Sequence, residues 1–198
     1  MHLLAAAVAT VALLPPAAPV PAAPELPSRA VGKPFHGRLV HGKQLPESGD
    51  AFFTWDWGTR TSPNRAWRRW GTDRTVTTVL TVLAEFHAAH PGAPRVGVAD
   101  LSRPRGGTFD ARFGGLGHAS HQNGRDVDIP YPRRDGLEKP PLRPAQIDRA
   151  LAQDLLDRFV RAGATDVFIG PRTGLVRKRR LVQWLAHHDD HMHVRFPP

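Results

Sequence analysis

The sequence predicts an α+β domain in which an antiparallel sheet carries a polar site and helices pack behind it. Three observations lead there. Two stretches repeat apolar residues at helical spacing, two short segments alternate polar with apolar residues as half-buried strands do, and 20 prolines with 18 glycines in 198 residues demand many turns.

Each element has its own signal. Over residues 75–89, Val76, Val79, Leu80, Val82, Leu83 and Phe86 fall on one helical face, and Pro91-Gly92 stops the helix. His87 and His90 close it, where cations suit the negative end of the helix dipole. Residues 95–101 read as a strand and 104–107 as a turn. The glycine-rich run 114–117 lacks the GKS/T of a phosphate loop, so its expected role is to let backbone pass close to a site. A strand follows at 126–131, bounded by Pro130 and Pro132. Ile147, Leu151, Leu155, Phe159 and Val160 mark a second helix over 146–162, with Gly163 as its stop. A short buried strand is expected at 165–169, and 181–186 leads into a last strand at 191–196.

Domain organisation is simple. Residues 1–23 read as a signal peptide: an apolar run from Leu3 to Leu14, then prolines, then small residues at Ala22-Ala23. The run is short for a membrane span, so no transmembrane span is expected in the mature form. Residues 24–32 form a proline-containing linker, and 33–198 a single domain. The chain is expected to be exported, to the periplasm, the cell wall or the medium.

Composition excludes several classes. With no cysteine, there is no disulfide framework, thiolate metal site or cysteine nucleophile. The net charge of +9 suits anionic partners such as acidic cell-wall polymers. The basic run Arg177-Lys178-Arg179-Arg180 comes without any nucleic-acid-binding motif, so no nucleic acid partner is expected and a solvated face is the simpler reading.

Histidine placement carries the chemistry. Residues 117–128 and 187–194 hold six of the eleven histidines. In Asp126-Val127-Asp128-Ile129 and His191-Met192-His193-Val194, strand alternation puts Asp126 with Asp128, and His191 with His193, on one face. Val127, Ile129, Met192 and Val194 then point into a core. If both strands share a sheet, imidazoles and carboxylates converge, as tetrahedral zinc with an open water position requires. HExxH and GxSxG are both absent, which argues against thermolysin-type zinc peptidases and serine α/β-hydrolases.

Gly-His-Ala-Ser-His-Gln-Asn-Gly-Arg-Asp-Val-Asp-Ile (117–129), with the His-x2-His-Met-His-Val-Arg segment at 188–195, resembles the penicillin-insensitive murein endopeptidases. These belong to a wider group of zinc peptidases that includes lysostaphin-type and D-Ala-D-Ala enzymes. Val98-Ala99-Asp100 and Gly106-Gly107 extend the resemblance more loosely, whereas the first ninety residues show no convincing match. The resemblance implies a Zn2+ cofactor held by His121, Asp128 and His193. The strand pattern agrees for Asp128 and His193, and Gly124 permits the turn that returns His121 toward Asp128. Such a set leaves a coordinated water whose pKa falls to about 7.

His191, two residues before His193 on the same face, is then the candidate general base or oxyanion stabiliser. His188 and His118 resemble further family histidines near the scissile bond, with His118 as an imidazole orienter or substrate contact. Asp126 is expected to orient a ligand imidazole, and Asp189 and Asp190 to tune neighbouring histidines. The implied activity is hydrolysis of peptide cross-bridges, with peptidoglycan peptide stems as partner. A D,D-carboxypeptidase or dipeptidase with the same metal stays open, as does a non-catalytic, zinc-stabilised wall-binding module.

Overall fold

The computed structural model describes residues 26–113, 118–176 and 179–198. The export signal expected at 1–23, the glycine run 114–117 and Arg177-Lys178 of the basic run lie outside the described residues.

The chain opens with a hairpin of β1 (Arg29–Lys33) and β2 (His36–Val40), whose register Lys33↔His36 leaves a two-residue turn at Pro34-Phe35. The last residues of the expected linker are thus paired with β2. Short strands β3 (Lys43–Gln44), β4 (Ser48–Gly49), β5 (Phe52–Thr54) and β6 (Trp70–Gly71) follow, with β3 antiparallel to β6.

Helix α1 (Asp73–Ala89) starts where the Thr72 hydroxyl accepts the Thr75 N–H. It is rich in threonine and valine, poor helix formers. Its helical state rests on the face that Val76, Val79, Val82, Leu83 and Phe86 bury. Helix α2 (Arg149–Arg161) is capped by Asp148, which accepts the N–H groups of Ala150 and Leu151, and buries Ala152, Leu155, Leu156 and Phe159. His90, the C-cap of α1, meets Asp154 of α2 at 2.9 Å, a specific bond across the helix pair in place of simple dipole compensation.

Strand β7 (Val96–Val98) lies parallel to β5, so β5, α1 and β7 form a βαβ unit. The site-bearing sheet has the order β10-β9-β11-β8, from β8 (Asp126–Pro130), β9 (Asp166–Ile169), β10 (Val182–Trp184) and β11 (His191–Arg195). β11 is antiparallel to both neighbours, as expected. The sheet as a whole is mixed, which corrects the purely antiparallel expectation. The connection 170–181 is long enough to carry the chain back and set β10 parallel to β9.

One face of this sheet and both helices enclose the core, in which Val127, Ile129, Met192, Val194, Leu155, Phe159 and Phe86 are buried. Past β7 the backbone keeps bonding to β8: Ala99 N–H donates to Asp128 C=O at 2.8 Å and Asp128 N–H to Asp100 C=O at 2.9 Å. That stitch carries Asp100 and Leu101 to the site. Among the described residues, no helix is long and apolar enough to cross a membrane.

Candidate metal centre

Register decides the site. β11 and β8 pair with His193 opposite Asp128 and Arg195 opposite Asp126, while Met192 faces Ile129 and Val194 faces Val127 in the core. The alternation read from sequence therefore places both polar pairs on one face.

His121 arrives from the loop before β8 in a left-handed conformation (φ 67°), a sparsely populated region for a residue with a Cβ. Gly124 (φ 76°) turns the loop back; a Cβ there would meet Leu39 Cδ1 at 2.8 Å. The strain at His121 is held by two bonds. Its backbone N–H donates to Asp126 Oδ2 at 3.0 Å, and its Nδ1–H donates to the Leu101 carbonyl at 2.8 Å. The second bond fixes the tautomer, leaving the Nε2 lone pair for the site.

Three ligand-type atoms then form a small triangle. His121 Nε2 to His193 Nδ1 is 3.2 Å, His193 Nδ1 to Asp128 Oδ1 is 3.0 Å, and His121 Nε2 to Asp128 Oδ1 is 3.3 Å. Atoms that share one metal ion stand about 3 Å or a little more apart, so donors at these separations could share a single ion. Lone pairs this close repel unless a proton or a cation lies among them. Burial would lower the His193 pKa, but Asp126 and Asp128 push it up to about 9, so without a metal the ring holds that proton. Burial would raise Asp128, yet the charges of His121 and His191 and the imidazole hydrogen bonds hold its carboxyl well below the carboxylate range.

His118 joins from the other side. Its ligand nitrogen forms, with His121 and Asp128, a group whose donor atoms lie within 4.8 Å of one another. Its Nε2 bonds Asp100 Oδ2 at 2.7 Å, which turns Nδ1 toward Asp128 Oδ2 at 3.9 Å. A His/His/Asp cluster able to hold a metal ion is therefore present.

Around the cluster stand groups that hold it. Asp126 accepts Arg195 Nε at 2.7 Å and sits 3.6 Å from the buried His193 Nε2, a charge contact and not a hydrogen bond. Asp100 is gripped by Arg68, a guanidinium with no solvent exposure, and by Asn64 Nδ2 at 3.2 Å. Burial alone would raise the Asp100 pKa, but the bonds from Arg68 and His118 lower it to about 2. Sequence reasoning missed Arg68, which lies in Trp-Arg-Arg-Trp (67–70) and looks like part of a charged surface.

His191 lies beside the triangle. Its Nδ1 meets Asp190 Oδ1 at 2.7 Å and its Nε2 stands 3.8 Å from Asp128 Oδ1. The His188 ring is 4.7 Å away and the Trp57 ring 5.6 Å away. Trp57 was not anticipated, since a lone tryptophan in a loop gives no signal of its position. His188 donates Nδ1–H to the Ala186 carbonyl at 2.8 Å, and burial with the nearby His191 lowers its pKa to about 4, so it is neutral. The other acid named from sequence, Asp189, is partly buried and pairs with Arg172 at 2.7 Å, not with a histidine of the site. All these imidazoles open onto one cavity of about 590 Å³, walled by Phe35, Phe168 and Leu185.

Comparison with known proteins agrees with this architecture. The sequence profile of the penicillin-insensitive murein endopeptidases matches residues 30–168, well over half of the chain. The chain belongs to that family. Murein endopeptidases of the same description from Yersinia pestis bv. Antiqua and Yersinia pseudotuberculosis are each 30% identical to it over 139 residues, covering 57% of this chain and 48% of theirs. The Pectobacterium atrosepticum relative is 33% identical over 125 residues, covering 50% and 42%. The chain thus spans about half the length of the curated relatives it matches. The family match begins at β1, far upstream of the two histidine motifs, and ends before His188, His191 and His193.

Proposed function

We propose that the protein is an exported, zinc-dependent peptidoglycan endopeptidase that hydrolyses the peptide cross-bridges between stems. The observation that carries this is the triangle of His121 Nε2, Asp128 Oδ1 and His193 Nδ1 at the base of an open cavity, with His191 Nε2 beside it. On this reading His121, Asp128 and His193 would hold Zn2+, with His118 as a further imidazole close to His121 and Asp128. When bound, zinc supplies Lewis acidity that brings the pKa of a coordinated water to about 7.

The chain's own residues do the rest. Asp190 holds the Nδ1–H of His191 and so leaves the Nε2 lone pair facing the site. There it takes the proton of the attacking water and returns it to the departing amine. His188, neutral and packed on His191, limits its ring motion and offers Nε2 to the substrate. Asp100 fixes the His118 ring by a hydrogen bond, and the Asp126 charge lies behind the His193 ring.

Glycoside cleavage would need a carboxylic acid and a carboxylate flanking the bond. Here Asp100, Asp126 and Asp128 are all buried and engaged with imidazoles or guanidinium groups. Residues 1–23 serve export on the same reading, and 33–198 form the working domain.

The deciding experiment is digestion of purified peptidoglycan, with the released muropeptides identified by mass spectrometry. Loss of cross-linked dimers with intact glycan is the expected result. Release of free terminal D-alanine alone would move the protein to the carboxypeptidase class, and cut glycan with intact bridges would overturn the assignment.

A further inference from the structure

A second groove runs along the β2–β3 side of the domain and shares no lining residue with the metal-site cavity. It consists of two hollows of about 540 Å³ and 460 Å³ that meet at His41, Gly42 and Trp70. Arg38 and Arg105 line one end and Lys43 the other. We infer that this groove binds a polyanionic saccharide, with Trp70 against sugar rings and Arg38, Arg105 and Lys43 holding the acidic groups.

The backbone explains why these cations stand together. In β2 the side chains alternate, so Leu39 is buried beneath while Arg38 is exposed. The Leu39 N–H donates to the Arg105 carbonyl at 3.0 Å, which ties the loop carrying Arg105 to the strand carrying Arg38. Pairing of Gln44 with Trp70 brings the indole to the same groove. Like charges held side by side repel, and a counter-anion relieves that repulsion.

Neither the Arg38 nor the Arg105 guanidinium has a hydrogen-bond or ion-pair partner among the described residues, and both are exposed. The groove's one acid among the described residues, Asp73, accepts the Ser28 N–H at 2.8 Å and also attracts Lys43, which leaves Arg38 and Arg105 as the cations without an acidic neighbour. The junction is held by tight local packing. Gly42 packs so tightly that a Cβ would meet Leu39 Cδ2 at 2.4 Å, and His41 is held at φ 49°, a left-handed conformation that favours glycine.

Two observations favour a saccharide. A half-buried indole flanked by charged donors suits a ring with apolar faces and acidic substituents. Single-stranded nucleic acid, in contrast, is held by successive aromatic platforms, whereas among the described residues this groove offers one indole, Trp70, with the smaller His41 ring beside it. The hairpin also links the two sites. Phe35 at its tip lines the metal-site cavity and Arg38 lines the groove, so a polymer held in the groove would lie within one hairpin of the cavity. This last argument rests on the hydrolase reading above; the groove's charge and shape do not.

The test is a binding measurement on the full chain without added metal, so it does not depend on catalysis. Polygalacturonate supplies rings and carboxylates, polyphosphate charge without rings, dextran rings without charge, and oligothymidylate a nucleic acid. Calorimetric titration should show polygalacturonate binding most tightly. Arg38→Ala/Arg105→Ala should weaken it about tenfold or more, while the charge-matched pair Arg60→Ala/Arg143→Ala stays within about twofold of the parent. Circular dichroism checks that each variant is folded. Equal losses in the two double variants would mean that net charge alone binds, and would overturn the site. Equally tight binding of polyphosphate, dextran or oligothymidylate would overturn the ligand class. Muropeptide digestion, run separately, reports on the hydrolase reading alone.

Discussion

His121 Nε2 lies 3.2 Å from His193 Nδ1, although 72 residues separate them in the chain. The two rings meet edge to face at 4.7 Å between centroids. Two imidazole nitrogens come this close when a proton or a cation lies between their lone pairs, and Asp128 Oδ1 completes the set. The fold has thus concentrated donor atoms that share the His193 proton when no metal is bound, a proton that a metal among them would displace. The energetic consequence is that occupancy and stability are coupled.

Metal removal should therefore destabilise the protein. A ligand present at a thousandfold excess over its Kd adds about 4 kcal/mol, or roughly 10 °C in Tm for a domain of this size. Scanning calorimetry before and after chelation, with metal content measured in parallel, should show that loss and its recovery on adding zinc. His121→Ala and Asp128→Ala should start at the lower Tm and ignore the chelator. A parent protein with no metal, even after dialysis against zinc, would defeat the metal-centre reading.

His191→Ala should keep its metal and lose hydrolysis by about 10²–10⁴-fold. Asp190→Asn should lose activity in the same direction by a smaller factor, because the 2.7 Å bond to Nδ1 sets the tautomer of His191. Metal analysis separates the alternatives: a His191→Ala protein without metal would make His191 a ligand, and wild-type turnover would remove it from the mechanism.

Arg68→Met should be among the most damaging substitutions away from the triangle. It leaves the Asp100 carboxylate buried without its cation, a change worth about 3–5 kcal/mol. Urea unfolding should show the midpoint falling accordingly. A loss below about 1 kcal/mol, the size of a surface pair, would mean that the Arg68–Asp100 pair is not held as described.

Acid should expose the role of Asp56, the buried hub of the loop that carries Trp57 toward His191. Burial would raise its pKa, but Arg65 and the N–H groups of Thr59 and Gly58 bring it below the ordinary value. A depressed folded pKa gives stability that is present above the unfolded value of about 3.9 and is lost as pH falls through the folded one. The Tm gap between the parent and Asp56→Asn should be widest near neutral pH and close below about pH 4. A gap that widens on acidification would reject this.

Much of the fold was readable because amphipathic periodicity survives without context. Helix α1 appears at Asp73–Ala89 against an expectation of 75–89, and α2 at Arg149–Arg161 against 146–162. Strands β8, β9 and β11 lie within the segments expected for them. The β1–β2 hairpin escaped because its strands are largely exposed and leave little hydrophobic signal. The parallel β9–β10 and β5–β7 pairings escaped for a different reason, since strand direction depends on where a connection goes.

By itself the sequence determined which residue types alternate on which strand: Asp126 with Asp128, His191 with His193, and the apolar residues between them facing the core. The two-residue period of a strand is local geometry and needs no neighbour. Only the tertiary structure decided that His193 pairs with Asp128, that Leu101 C=O selects the His121 tautomer, and that Arg68 lies under His118 through Asp100. Those relationships join residues 20 to 65 positions apart. They are fixed by register, by backbone stitching between β7 and β8, and by burial, each of which exists only once the core has closed around both strands.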